Sequence, residues 1–142
     1  MIGIVVAAHS GLAEALVKTA HIVAPETKGV VAVGIDIEDD SSGYEQRLRD
    51  AIESVKDDGG VIVLTDMFGG TPSNVGLTFH EPGAVEVLTG ANLPMLMKAI
   101  QLSERGMELE RAAVMIKEAG QRAIVHATEI LGDGQGPRRT AS

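Results

Sequence analysis

Two polar residues stand where apolar runs end: His9 follows Ile2–Ala8 (IGIVVAA), and Asp66 follows Val61–Thr65 (VIVLT). Brought together, they make a working pair. The carboxylate holds one imidazole N–H and fixes the tautomer, leaving the other nitrogen to attack or to accept a proton. Each is followed by a helix start, Ser10-Gly11-Leu12 after His9 and Gly69-Gly70-Thr71 after Asp66. Helix N-termini offer backbone N–H groups that favour anions, by about 0.3–1 kcal/mol each. The chemistry expected here is a nucleophilic nitrogen beside a phosphate-like group. At an effective dielectric of ~20, a carboxylate about 4 Å away favours the protonated ring by up to ~4 kcal/mol. Asp66 therefore outweighs the helix termini, and phosphoryl acceptance by His9 is expected to fall in mildly acidic solution. Once loaded, the phosphoryl group is repelled by Asp66 and attracted by the N–H groups, a near-balance that suits a carrier.

Placing these two side chains together requires particular elements, and the pattern supplies them. Ile2–Ala8 reads as a buried strand, and Leu12, Leu16, Ala20 and Val23 recur at helical spacing until Pro25. Val30–Ile37 reads as a second strand. Ser42 with Glu45 gives a capping-box signal before the stripe Tyr44, Leu48, Ala51, Ile52 and Val55. Val61–Thr65 is a third strand, apolar throughout as when both sheet faces are covered. Thr71 reads as an N-cap with Pro72 in the first helical position, opening a short helix that ends near His80–Gly83. Ala84–Thr89 is a fourth strand, and Pro94 opens a helix to about Ser103. Leu109 to Leu131 reads as one long final helix. Residues 1–131 are expected to form a single domain, and Gly132–Ser142 a flexible tail.

Strands alternating with helices imply an α/β fold with an open parallel sheet and right-handed crossovers. Such sheets bind ligands beyond the carboxyl ends of the strands, where the strand order reverses. For four strands in the order 2-1-3-4, the reversal lies between the first and third, whose ends carry His9 and Asp66. Adjacent strands are about 4.8 Å apart, close enough for the pair to meet.

Composition narrows the function classes. The chain has 142 residues, one core's worth, and its 44% hydrophobic content excludes wholesale disorder. Twenty acidic against 12 basic residues leave a net charge of −8, which argues against nucleic-acid binding. With no cysteine there is no disulfide, thiol nucleophile or thiolate metal site. No cofactor and no metal are expected. No apolar run approaches the roughly 20 residues of a membrane span, so the chain reads as soluble and cytoplasmic. GxxxxGK[ST], strand-linked GxGxxG, GxSxG and HExxH are all absent. His21, His80 and His126 read as solvated or capping residues, and Met95, Met97, Met107 and Met115 as core or interface filler. The acidic run Asp36–Asp40 reads as a solvated turn without calcium-loop spacing.

Three segments carry a resemblance: HSGLAEAL at His9–Leu16, TDMFGGTPSN at Thr65–Asn74 and TGANLPML at Thr89–Leu96. In this order and spacing, over roughly residues 1–130, the chain resembles the mannose-family enzyme IIA of the bacterial phosphotransferase system. The resemblance implies the 2-1-3-4 parallel sheet with helices on both faces, and a homodimer. It implies a phosphotransferase with a phosphohistidine intermediate, taking phosphate from phospho-HPr and passing it to a IIB protein during sugar uptake. By motif, His9 would be phosphorylated and Asp66 would orient it. Thr71, with the backbone of Gly11 and Leu12, would contact the phosphoryl oxygens, and Asn92 would lie at the rim. Ala8 and Ser10 depart from the family, which commonly has Ser or Thr before the histidine and Gly after it.

Partner docking is expected around His9, on a rim near Leu12, Phe68 and Asn92, with association to membrane permease subunits but no membrane insertion. Two other readings stay open: a regulatory module whose His9 phosphorylation controls partner binding, and the phosphoryl donor subunit of a dihydroxyacetone kinase.

Overall fold

A computed structural model describes residues 1–36 and 38–135. Four parallel strands lie in the order β2-β1-β3-β4: β1 (Gly3–His9), β2 (Val30–Ile35), β3 (Val61–Thr65) and β4 (Val85–Thr89). The helices between and after them are α1 (Leu12–Val23), α2 (Ser41–Val55), α3 (Thr71–Leu77), α4 (Leu93–Leu102), α5 (Leu109–Arg122) and α6 (Ala127–Gln135). The expected α/β architecture and strand order are those observed.

Strand alternation divides the core between the two faces. Ile4, Val6, Ala8, Ile62 and Leu64 pack with α1, α4 and α5, through Ala13, Ala20, Leu96, Ala99, Ala112 and Ile116. Val5, Ala7, Val61 and Val63 pack with Tyr44, Leu48, Ile52 and Val55 of α2. Both central strands are therefore covered on two sides, which is why their sequences read as unbroken apolar runs. In register, Ala7 pairs with Thr65 and Thr65 with Thr89, so β1, β3 and β4 end at nearly one level.

Several local expectations are corrected. Gly70, not Thr71, is the N-cap of α3, with extended backbone at φ −82° and ψ 167° and no side-chain cap bond. Thr71 is the first helical residue, so its hydroxyl is not spent on capping. Asp40, not Ser42, caps α2: its carboxylate accepts the Gly43 N–H at 2.6 Å. Ser42 itself donates to that carboxylate, at 3.3 Å, so the stronger acceptor takes the cap. The single long final helix is two helices. The α5 stripe of Leu109, Ala112, Ala113, Ile116 and Gly120 reaches the core, whereas residues 121–131 are all exposed. With nothing beneath it, the apolar periodicity beyond Arg122 does not prolong α5. The α6 helix continues past Leu131 to Gln135, into the segment read as a flexible tail, while residues 136–142 lie outside the described residues. Strand β2 ends at Ile35, and Ile37 lies outside the described residues. Leu12 and Val23 belong to the exposed side of α1 rather than to its buried stripe.

Candidate active site

The carboxyl ends of β1 and β3 bring His9 and Asp66 together. His9 Nδ1 lies 2.8 Å from Asp66 Oδ2, and the backbone N–H of His9 donates to the same oxygen at 2.9 Å. The other carboxylate oxygen accepts the Met67 N–H at 2.9 Å. Asp66 is thus clamped on both oxygens, with its side chain only 12% exposed against 47% for His9. Desolvation, the largest influence, pushes the Asp66 carboxyl up. The hydrogen bonds from His9 and Met67 and the His9 charge together outweigh it and hold the group below its ordinary value. With Nδ1 donating to an ionised carboxylate, Nε2 is the ring nitrogen that keeps a free lone pair.

Two neighbours set the direction of the ring. A Cβ on Gly70 would sit 2.9 Å from His9 Cε1 and 3.6 Å from Nε2, so the imidazole packs where only glycine leaves room. The φ of Gly70 is an ordinary −82°, so the requirement is space, not conformation. On the other side, Ser10 adopts a left-handed φ of 53°, the one non-glycine positive φ among the described residues. Its N–H still donates to Ile35 O at 2.7 Å, the last rung of the β1–β2 pairing, and the left-handed φ then turns the chain toward α1. Ser10 O in turn lies 2.6 Å from the position of a Cβ on Gly34, so the bend nests against a bare backbone. Neither the Gly70 packing nor the Ser10 bend was read from the sequence. The Gly69-Gly70 doublet was the signal for the first.

His9, Ser10 and Thr71 line an open cleft of about 720 Å³ together with Ile35, Asp36, Glu38, Asp39 and Ser41. The acidic run after β2 is exposed, as expected of a solvated turn, and Asp36, Glu38 and Asp39 also line one side of the cleft. Asp39 is tied down by Arg47 at 2.7 Å. Thr71 faces the cleft with an exposed side chain. Gly11 is the N-cap of α1 and Leu12 its first residue, adjoining His9 without lining this cleft; the space around Gly11 is open. At seven residues α3 is too short to act as a long dipole, so its contribution is local.

Phe68 and Met67 project from the loop after Asp66, 74% and 57% exposed. Asn92 is placed differently. It caps α4 by accepting the Met95 N–H at 2.9 Å and donates to Gly120 O at 3.4 Å. It lines a separate groove of about 330 Å³ with Val87, Met95, Lys117 and Ile124. Of the other histidines, His21 contacts Val17 O, His80 pairs with Glu86 and His126 with Glu129, all away from the cleft.

Comparison with known proteins agrees with this fold. The family description EIIA-man, "PTS system fructose IIA component", matches residues 3–119. The fructose-specific EIIA component of Bacillus subtilis (strain 168) is 26% identical over 132 residues, spanning 92% of this chain and 90% of that one. The mannose-specific EIIAB component of Escherichia coli (strain K12) is 23% identical over 87% of this chain, which spans 38% of that protein. The crystal structure of the IIA protein associated with the fucose utilization operon of Streptococcus pneumoniae is similar at a TM-score of 0.80. It is 29% identical, and the match covers 92% of this chain and 96% of that one. With the histidine–aspartate pair at the switch point of a 2-1-3-4 sheet and a family match over nearly the whole ordered core, the chain belongs to the EIIA-man family of IIA components of the sugar phosphotransferase system.

Proposed function

We propose that this chain, through residues 1–131, is a phosphoryl carrier in which His9 Nε2 takes phosphate from phospho-HPr and gives it to a IIB protein. The observation that carries the reading is the 2.8 Å contact of Nδ1 with Asp66, which leaves Nε2 free. The Nε2 lone pair attacks phosphorus on the donor's phosphohistidine. As the Nε2–P bond forms, the donor's P–N bond breaks and its electron pair returns to the donor imidazole. His9 keeps its Nδ1 proton, so its ring becomes cationic on loading and the Asp66 carboxylate compensates. Attack by a IIB histidine runs the same step outward. The Thr71 hydroxyl and the backbone N–H groups of Gly11 and Leu12 hold the phosphoryl oxygens, so positioning and electrostatics supply the catalysis. Protonation of Nε2 would remove the lone pair that attack requires.

Phe68 and Leu12, exposed on the rim, dock the partners. Asn92 contributes by holding the loop after β4 rather than through a free amide. The sugars named for the relatives differ, and selection of the sugar falls to the permease subunits with which the carrier works on the cytoplasmic side of the membrane. The chain acts as a homodimer: β4 is an edge strand, Ile124 lines the groove beside it with Val87 and Leu88, and Val125, Ile130 and Leu131 further along are exposed. The test is incubation with phosphoenolpyruvate, enzyme I and HPr. Wild type is expected to take an acid-labile label and His9→Ala none; a fully labelled His9→Ala would refute the assignment.

A further inference from the structure

Residues 10 and 11 are exchanged with respect to what the backbone asks of them. Ser10 holds the left-handed φ of 53° that favours glycine, whereas Gly11 sits at φ −90° and ψ 8°, on the side of the map that every L residue uses. Asn and Asp recover part of the cost of a left-handed backbone through local side-chain hydrogen bonds. Ser10 does not. Gly11 is the cap of α1, no side chain bonds that helix start, and among the described residues none is hydrogen-bonded to the Ser10 hydroxyl. Packing does not call for Gly11 either, since a Cβ there would meet nothing within 4 Å.

The bend has a geometric consequence. Along a strand, successive side chains point to opposite faces, so a residue continuing β1 after His9 would turn away from it. The left-handed turn ends that alternation, and Ser10 lines the same open cleft as His9 and Thr71. Its backbone is fixed there: the N–H donates to Ile35 O at 2.7 Å, and Ser10 O presses where Gly34 has no side chain. The opposite side of the cleft carries Asp36, Glu38 and Asp39, of which Asp39 is paired with Arg47. Carboxylates repel a phosphoryl group, so the side chains able to hold one in this cleft are the hydroxyls of Ser10, Ser41 and Thr71. Ser41 follows the carboxylates at the start of α2, whereas Ser10 adjoins His9 in the chain.

We propose that Ser10 is a further catalytic residue of phosphoryl transfer: its hydroxyl donates to an oxygen of the phosphoryl group on His9 Nε2, and the bare Gly11 leaves that group room against the start of α1. The inference rests on His9 being the phosphoryl-bearing residue. No bond to Ser10 forms or breaks; the hydroxyl keeps its proton and exchanges solvent for a phosphoryl oxygen as its acceptor. Strain of this kind persists where the surroundings over-determine the backbone and the site uses the result.

Ser10→Gly relieves the strain and Ser10→Ala keeps it, and both delete the hydroxyl. Single-turnover labelling of His9 from phospho-HPr is expected to slow about tenfold in each, as for a lost hydrogen bond to a charged acceptor, with half-saturating HPr unchanged. The pair separates chemistry from stability, because only the glycine variant gains in Tm. A serine with a purely structural role would leave the rates at wild-type values, and either variant at the wild-type rate overturns the proposal. Acid-stable label on wild type that Ser10→Gly abolishes also overturns it, because the hydroxyl would then be an acceptor. A second readout needs no partner protein. Phosphoramidate loads an imidazole directly, and the phosphorus NMR titration of the loaded protein is expected to move to higher pH in Ser10→Gly, since the lost donor favoured the dianion. An unmoved titration overturns the contact. Should phospho-HPr fail to label wild type, the carrier reading fails, and the phosphoramidate-loaded protein alone decides whether Ser10 holds the group.

Discussion

At the scale of the residue, the site is an arrangement around one carboxylate. Asp66 accepts from the His9 ring, the His9 backbone and Met67, so replacing it by asparagine removes a charge while keeping the shape. Its folded-state carboxyl titrates below the ordinary value, so its ionised form is the one that stabilises the fold. That contribution is complete above the unfolded carboxylate's range, near pH ~3.9, and is lost as pH falls through the lower folded value. Wild type is therefore expected to be more stable than Asp66→Asn at pH 7, with the gap in Tm closing below about pH 4. Parallel thermal melts at stepped pH check this; a gap that widens in acid contradicts it. His9 and Asp66 were both legible in the sequence because each stands at the end of an apolar run. Tyr44 was legible as one member of the amphipathic stripe that α2 buries against the sheet.

At the scale of the element, the junction of β1 and α1 stores strain. Ser10 holds a φ of 53°, a region that disfavours side chains by about 1–2 kcal/mol. Ser10→Gly is expected to stabilise the protein by about 1 kcal/mol, roughly 2–4 °C in Tm, after the added freedom of the unfolded chain is counted. Thermal denaturation of the pair checks it, and a lowered Tm would mean that the serine side chain contributes more than its strain. The strands and helix types of this fold were readable from periodicity alone. The caps were not. Asp40 and Gly70 displaced Ser42 and Thr71 because a helix start is decided by which acceptor or extended residue the tertiary path leaves at the turn, and neighbouring polar residues offer several similar choices.

At the scale of the whole molecule, an apolar edge is left open. Strand β4 borders the sheet, the groove beside it is lined by Val87, Leu88, Met95 and Ile124, and every residue from 121 to 131 is exposed. The homodimer proposed above is expected to cover Ile130 and Leu131, 57% and 51% exposed, whose remaining surface is together worth about 1.5–3 kcal/mol. Ile130→Ser with Leu131→Ser is expected to shift the chain from dimer to monomer, as read by light scattering across a concentration series. An unchanged mass would place the dimer contact elsewhere.

The sequence by itself determined the alternation of strands and helices, the ends of the apolar runs and hence which histidine and aspartate meet, because these depend on local hydrophobic period and on residue type. Only the tertiary structure decided that Gly70 makes room for the imidazole, that the acidic run after β2 walls the cleft, that Asn92 turns away from it and that the last apolar stripe breaks into two helices. Those outcomes depend on what lies across a gap of a few ångströms from another part of the chain, and a one-dimensional pattern carries no record of that distance.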